Sequence, residues 1–488
     1  MKKLDILFIH PPRNYEHLKA NLKKRSSYML IPMGLVGLAD LAEREGYSAR
    51  ILNYPLERVL DDKFSLRAYL NGCDPDFVGV DLHWVVHCAG AIDTLKYVKK
   101  HVPNAFTLLG GYSATLYARE IMDNHDFIDG IIQGEAEVPI IQLLKNKKSL
   151  GKVPNLMYRE NGKVKDNGIT YVASEIDSLN FARVKYIEHW KEYIETSFKA
   201  LRNPFSIEVA RGCSFNCIFC GGSRYCMRRM SKRDEVVFRS PARVVDDIKE
   251  FLDVSPVKTI FYGHGVHPAA ETYFMAINKR IRAEKIDVQA ELEAWRLPVS
   301  KGFIEDFAKT YDRTRSLFWF SVRNFSATYR KKFTTVFGTF DDSLDFSDQQ
   351  LEDFIHDCQA NGIINVLFWD IGYPHETPAD AFRNYAKAVK FILRHMGKKD
   401  RVGVITEPMI VSPGCPADLF DTKMGLQVRN KTFKEQLALN RDSVMRISPW
   451  DVVSDYSTTY FSSTTLYIIN KITWFTYGFT FVPMLIFG

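Results

Sequence analysis

Cys213, Cys217 and Cys220 lie within eight residues, in "RGCSFNCIFC" (211–220). Thiolates are soft ligands that suit iron–sulfur clusters and zinc. Three is one short of the four that a closed zinc site or a fully protein-ligated 4Fe–4S cluster takes. Cys226, six residues further on, is one candidate for the fourth ligand. The other reading leaves one metal with an open coordination position, as catalytic metal sites do. The eight cysteines (73, 88, 213, 217, 220, 226, 358, 415) form no regular framework, which points to a reducing compartment and metal chemistry.

The elements that must position these thiols alternate strand and helix twice along the 488 residues. Strands are expected at 4–10, 49–54, 77–84, 106–113 and 128–137, with helices at 32–47, 89–101 and 137–146. That pattern implies a parallel, doubly wound, Rossmann-like sheet over residues 1–150. Ligands of such sheets bind beyond the carboxyl ends of the strands. There the sequence places His10-Pro11-Pro12, Leu82-His83-Trp84, Gly110-Gly111-Tyr112-Ser113 and Gln133-Gly134-Glu135. Residues 151–200 read as a polar connector with weak strands and a helix, including "YRENGKVKDNG" (158–168). A second series of six strands begins at 205–213 and continues at 257–265, 288–297, 316–324, 364–374 and 401–409, with amphipathic helices at 241–254 and 380–396. Six strands at this spacing suggest a partial (β/α)6 barrel over 201–420. Residues 421–488 form a smaller C-terminal piece.

The C-x3-C-x2-C spacing after a strand, the preceding "RGC" and the strand count resemble the radical S-adenosylmethionine (SAM) superfamily. The segment "DIGYPHETPADAF" (370–382) is similar to that family's "IG-x-P-x-ET" segment at the fifth barrel strand, and "VSPGCPADLF" (411–420) to its "PGTPL"-like segment, with Cys415 in place of the threonine. The same residues of 370–382 also read as a turn followed by a Thr/Pro/Asp helix start. The segment 108–144 resembles the cobalamin (B12)-binding domain fused to many such enzymes, with Gly110-Gly111 and Gly134-Glu135-Ala136-Glu137 at family-like spacing. The resemblance implies a 4Fe–4S cluster on Cys213, Cys217 and Cys220 whose open iron chelates SAM and cleaves it to a 5′-deoxyadenosyl radical. It implies SAM contacts at Phe219 and Gly372, and cobalamin contacts at Leu82, His83, Trp84, Gly110, Gly111, Tyr112, Ser113, Gln133, Gly134 and Glu135.

Two departures matter. The loop after the second barrel strand, "FYGHGVHP" (261–268), lacks the acid that many relatives carry there, and the fourth strand reads "WFSVRNFS" (319–326). Some SAM contacts must therefore come from other residues, with Glu291, Glu293, Arg296, Ser321 and Arg323 as candidates. The cobalamin signature D-x-H-x-x-G is also missing around His10. His83 is the stronger candidate to face the corrin, ahead of His10 and His87, and the class often binds cobalamin with no protein ligand to cobalt.

The resemblance thus implies a cobalamin-dependent radical SAM C-methyltransferase using a 4Fe–4S cluster, SAM and methylcobalamin. A low-potential electron donor such as ferredoxin or flavodoxin would serve it, and a peptide or protein side chain is among the substrates it admits. The alternatives are a B12-dependent radical SAM cyclase or rearrangement enzyme, a polar B12 methyltransferase, and a non-enzymatic B12-binding protein with a structural metal site. Net charge is +7 with no aromatic-interleaved basic stripe, so no nucleic-acid partner is expected. The densest basic run, Arg224–Arg233, reads as a solvated loop or as an attraction for anionic cofactor or substrate groups. "MKKLDILFIHPP" has too short an apolar core for a secretory signal, so the cytoplasm is expected. The uncharged stretch 472–488 falls short of the roughly 20 residues of a membrane span and is expected to pack on the protein.

Overall fold

The computed structural model describes residues 3–13, 30–200, 203–338, 340–395, 401–406, 409–442 and 456–469. The apolar stretch 472–488 lies outside them, and among the described residues no helix is long and apolar enough to cross a membrane.

The first sheet holds β1 (Ile6–His10), β2 (Ala49–Asn53), β3 (Phe77–Asp81), β4 (Phe106–Gly110) and β5 (Gly130–Ile132), in the order β2-β1-β3-β4-β5, all parallel. β1 and β3 are buried along their whole length, which explains their unbroken apolar runs: helices cover both faces of a parallel sheet. The helices Met33–Arg44, Cys88–His101 and Glu137–Lys145 fall where periodicity places them. The segment 151–200 is not a connector throughout. Its β6 (Leu156–Glu160) and β7 (Lys163–Asp166) extend the sheet antiparallel beyond β5. A hairpin can add to a sheet edge without a crossover helix.

The second sheet is β8 (Phe205–Ile207), β9 (Thr259–Tyr262), β10 (Gln289–Ala294), β11 (Leu317–Arg323), β12 (Ile364–Trp369) and β13 (Val402–Thr406). Its six strands pair in chain order, all parallel, with β8 and β13 as open edges. β10 and β11 alternate strictly between buried and half-buried residues. One face packs under helices such as Pro241–Val254, and the other lines a hollow interior.

Candidate active site

A cavity of about 1080 Å³ joins the carboxyl ends of the two sheets. The first sheet supplies Asp81, His83, Trp84, Gly110, Gly111, Tyr112, Gly134 and Glu135; the second supplies Glu208, Cys213, Cys217, Phe219, Cys220, Glu293, Arg296, Ser321 and Arg323. Residues expected to meet two different cofactors thus share one space.

The loop 212–223 between β8 and the helix Arg224–Ser231 carries the three thiols and is anchored from outside itself. Asp341 Oδ2 accepts from the Ile218 N–H at 2.8 Å. Phe219 and Ile218 carbonyls accept from the Ser412 and Ala417 N–H groups of the 411–420 segment, at 3.0 and 2.8 Å. Burial pushes the thiols of Cys213, Cys217 and Cys220 up to about 11, so free thiols there are protonated at neutral pH and deprotonate when they ligate metal. A tetrahedral zinc with bonds of about 2.3 Å needs sulfurs roughly 3.8 Å apart. Among the described residues only His10, Asp81 and His87 gather three ligand atoms within 4.8 Å of one another. Cys213, Cys217 and Cys220 do not draw together to that degree, which leaves room between them for a group larger than one ion. Cys226 is fully buried, and its thiol donates to the carbonyls of Cys220 (3.4 Å) and Gly414 (3.5 Å), so it serves the loop backbone.

Two arginines flank the thiols. Arg296 Nη2 lies 3.6 Å from Cys217 Sγ, and the same side chain donates to Asp342 Oδ1 at 2.6 and 2.8 Å and stacks 4.0 Å over Phe215. Arg323, at φ +60°, stacks 4.0 Å over the Phe219 ring and donates to the Tyr373 hydroxyl at 3.1 Å. Glu293 accepts from Trp295 Nε1 at 2.7 Å, and Glu291 from Trp319 Nε1 at 2.9 Å. Glu208, Asp341 and Asp342 were absent from the sequence candidates. Only the residue types at 341–342 could have flagged that loop, since its partners lie more than 40 positions away.

On the first sheet Gly111 (φ +107°) lies against the turn at His83: a Cβ there would stand 2.8 Å from the His83 nitrogen. Only glycine tolerates that approach. His83 and Trp84 reach the cavity; His10 and His87 do not. His10 Nδ1 pairs with Asp81 Oδ1 at 3.0 Å, and the His10 and His87 rings meet edge-on at 4.9 Å.

Five expected contacts do not line the cavity, among them Glu291, whose carboxylate accepts from Trp319 Nε1. Leu82 is core, the Ser113 hydroxyl donates to the His83 carbonyl (3.0 Å), Gln133 donates to Asp166 (2.9 Å), and Gly372 faces Tyr456 and Leu466. Glu135 lines the cavity, yet its carboxylate is committed elsewhere. It accepts from Arg233 Nε, from Arg233 Nη2 (2.9 Å) and from the Ala173 N–H (2.7 Å). Arg211, two positions before Cys213, pairs with Glu137 at 2.6 Å and with Glu135 at 3.4 Å. The basic run 224–233 is thus no solvated loop: residues 224–231 are helical and Arg233 is 3% exposed.

The 370–382 segment combines both of its readings. Thr377 caps the helix Pro378–Arg394 in a capping box with Asp380. Glu376 accepts from the Gly372 and Tyr373 N–H groups (2.6 and 3.2 Å) and from Asn324 (2.8 Å). Burial pushes Glu376 up to about 7 against those donors. A carboxyl whose folded value exceeds its unfolded one costs stability as pH rises between the two. Glu376→Gln should therefore gain in Tm relative to the unsubstituted chain between about pH 4.5 and 7 and level off above; a constant difference across that window would contradict it.

Residues 22–144 match the B12-binding domain family. Over 293 residues the chain is 25% identical to an uncharacterized methyltransferase of Pyrococcus horikoshii, covering 59% of each protein. Over 269 residues it is 25% identical to hopanoid C-3 methylase of Methylococcus capsulatus, covering 54% of this chain and 48% of that one. The chain thus spans about half to three-fifths of these relatives' length. The solved structure of TsrM, a radical S-adenosylmethionine methyltransferase of Kitasatospora setae with tryptophan substrate and a SAM analogue bound, superposes with a TM-score of 0.67 at 14% identity, over 96% of this chain and 87% of that one. This last likeness establishes the fold.

Proposed function

We propose that this chain, which carries a B12-binding domain and has the fold of a radical SAM methyltransferase, is a cobalamin-dependent radical SAM C-methyltransferase acting on an unactivated carbon. The observation that carries the reading is the single cavity that puts Cys213, Cys217 and Cys220 opposite Gly110, Gly111, His83 and Trp84. A 4Fe–4S cluster on the three thiols, SAM on its open iron and cobalamin on the first sheet would supply hydrogen abstraction and the methyl group. The chain's own part is to hold and to exclude. Arg296 donates toward Cys217 Sγ, the kind of outer-shell contact that tunes a metal site. Arg323 presents its charge beside Phe219, suited to a carboxylate. Trp319 and Phe368, stacked with ring centroids 5.2 Å apart, form an apolar wall that keeps water from reactive species. Electrons come from a low-potential donor such as ferredoxin or flavodoxin.

The test is anaerobic incubation of the cluster- and cobalamin-loaded chain with reductant and methyl-labelled SAM. Expected are S-adenosylhomocysteine with label on cobalamin, and 5′-deoxyadenosine as the second co-product. Absence of 5′-deoxyadenosine overturns radical initiation; absence of label on cobalamin overturns its role as methyl carrier.

A further inference from the structure

We infer that the carboxylate of Glu208, seated in the gap left by Gly263, binds an ammonium group in the cavity. β8 pairs with β9 so that Ile207 faces Tyr262, which sets Glu208 beside Gly263 one step further on. A Cβ on residue 263 would lie 2.9 Å from Glu208 Oε2 and 3.2 Å from Oε1. The missing side chain is thus the space the carboxylate occupies. Glu208, Gly263, Glu293 and Trp319 all line the cavity.

The charge balance at this place is incomplete. Among the described residues no lysine, arginine or histidine lies within ion-pair distance of Glu208, and the nearby Ser206 hydroxyl is its neutral neighbour. The two arginines whose charge reaches it are engaged by other acids: Arg211 by Glu135 and Glu137, Arg239 by Asp247. Glu293 too has a neutral partner, Trp295 Nε1. Burial pushes both carboxyls up from their ordinary values. A partly buried carboxylate with no ion-pair partner of its own is stabilised by a cation that enters the cavity beside it.

An ammonium could arrive on SAM or on an amine-bearing substrate. The SAM source rests on the proposed function; the chemistry of the gap does not. Equilibrium binding to the full chain separates the two. SAM and 5′-methylthioadenosine, which lacks the amino-acid moiety, are titrated into the cluster-loaded chain and its Glu208→Gln and Gly263→Ala variants. n-Butylammonium is titrated in parallel, with quenching of tryptophan fluorescence as readout. If SAM is the source, Glu208→Gln weakens SAM binding about tenfold or more and leaves 5′-methylthioadenosine unchanged, as expected for loss of a charged hydrogen bond. Gly263→Ala, which crowds the carboxylate, acts in the same direction. If a substrate is the source, SAM binding holds while n-butylammonium binding is lost in both variants. Unchanged binding of both cations in both variants overturns the inference. Iron content and circular dichroism matching the unsubstituted chain establish that each variant folds. A chain without iron overturns the proposed function and leaves the n-butylammonium result standing on its own.

Discussion

Replacing Cys213, Cys217 or Cys220 by alanine is expected to remove the iron and acid-labile sulfide of the anaerobically reconstituted protein, whereas Cys226→Ala should retain them. The asymmetry follows from direction. The first three thiols line the cavity, while the Cys226 thiol points into the loop backbone at the Cys220 and Gly414 carbonyls. A cluster held by three protein ligands loses one of the three, and among the described residues no further thiol lines the cavity to replace it. Cys226→Ala should instead cost stability on the scale of a buried small-residue truncation, about 1 kcal/mol, with visible absorbance intact. Iron and sulfide assays with absorbance spectra decide the matter. Retained iron in any of the first three variants, or lost iron in Cys226→Ala with the fold intact, would falsify the assignment of ligands.

Glu135→Ala should be strongly destabilising. It leaves Arg233, 3% exposed, without its carboxylate and loosens Arg211 immediately before the cluster loop. Breaking one side of a buried ion pair costs about 3–5 kcal/mol, because the remaining charge stays desolvated. Glu135→Leu combined with Arg233→Met should recover much of that loss, since apolar replacements of similar volume restore neutrality. The pH dependence has a definite sign. Burial raises the Glu135 carboxyl, but the bonds from Arg233, the charge of Arg211 and the Ala173 N–H together hold it below its ordinary value. Its contribution is therefore complete above the unfolded carboxylate value and is lost as pH falls through the folded one. Denaturant midpoints at pH 7 and in acid, for Glu135→Ala and the double variant, measure both effects. A single variant within 1 kcal/mol of the unsubstituted chain at pH 7 would show that the clamp is dispensable.

The clamp also shows where sequence reading stops. The Gly134-Glu135-Ala136-Glu137 motif was legible as a strand-end feature facing a ligand, and the structure does bring Gly134 and Glu135 to the cavity. The sequence could not say that both acids are bound by arginines about 75 and 100 positions later. Nor could it remove Arg233 from a run of basic residues that reads as solvated. The segment 151–200 read as weak strands within a polar connector, but its sequence did not say that β6 and β7 would pair with the edge of the first sheet.

By itself the sequence determined what is local. Cysteine spacing, unbroken apolar runs for buried parallel strands, helical periodicity and the Thr377 cap are set by neighbours within a few positions, where chain geometry leaves little choice. The tertiary structure decided the pairings: which thiols face the cavity and which turns away, which arginine meets which acid, and that Glu208 fills the gap at Gly263. Long side chains choose among partners that only strand register brings near. In a desolvated cavity the charge left over from that choice is what a ligand must answer.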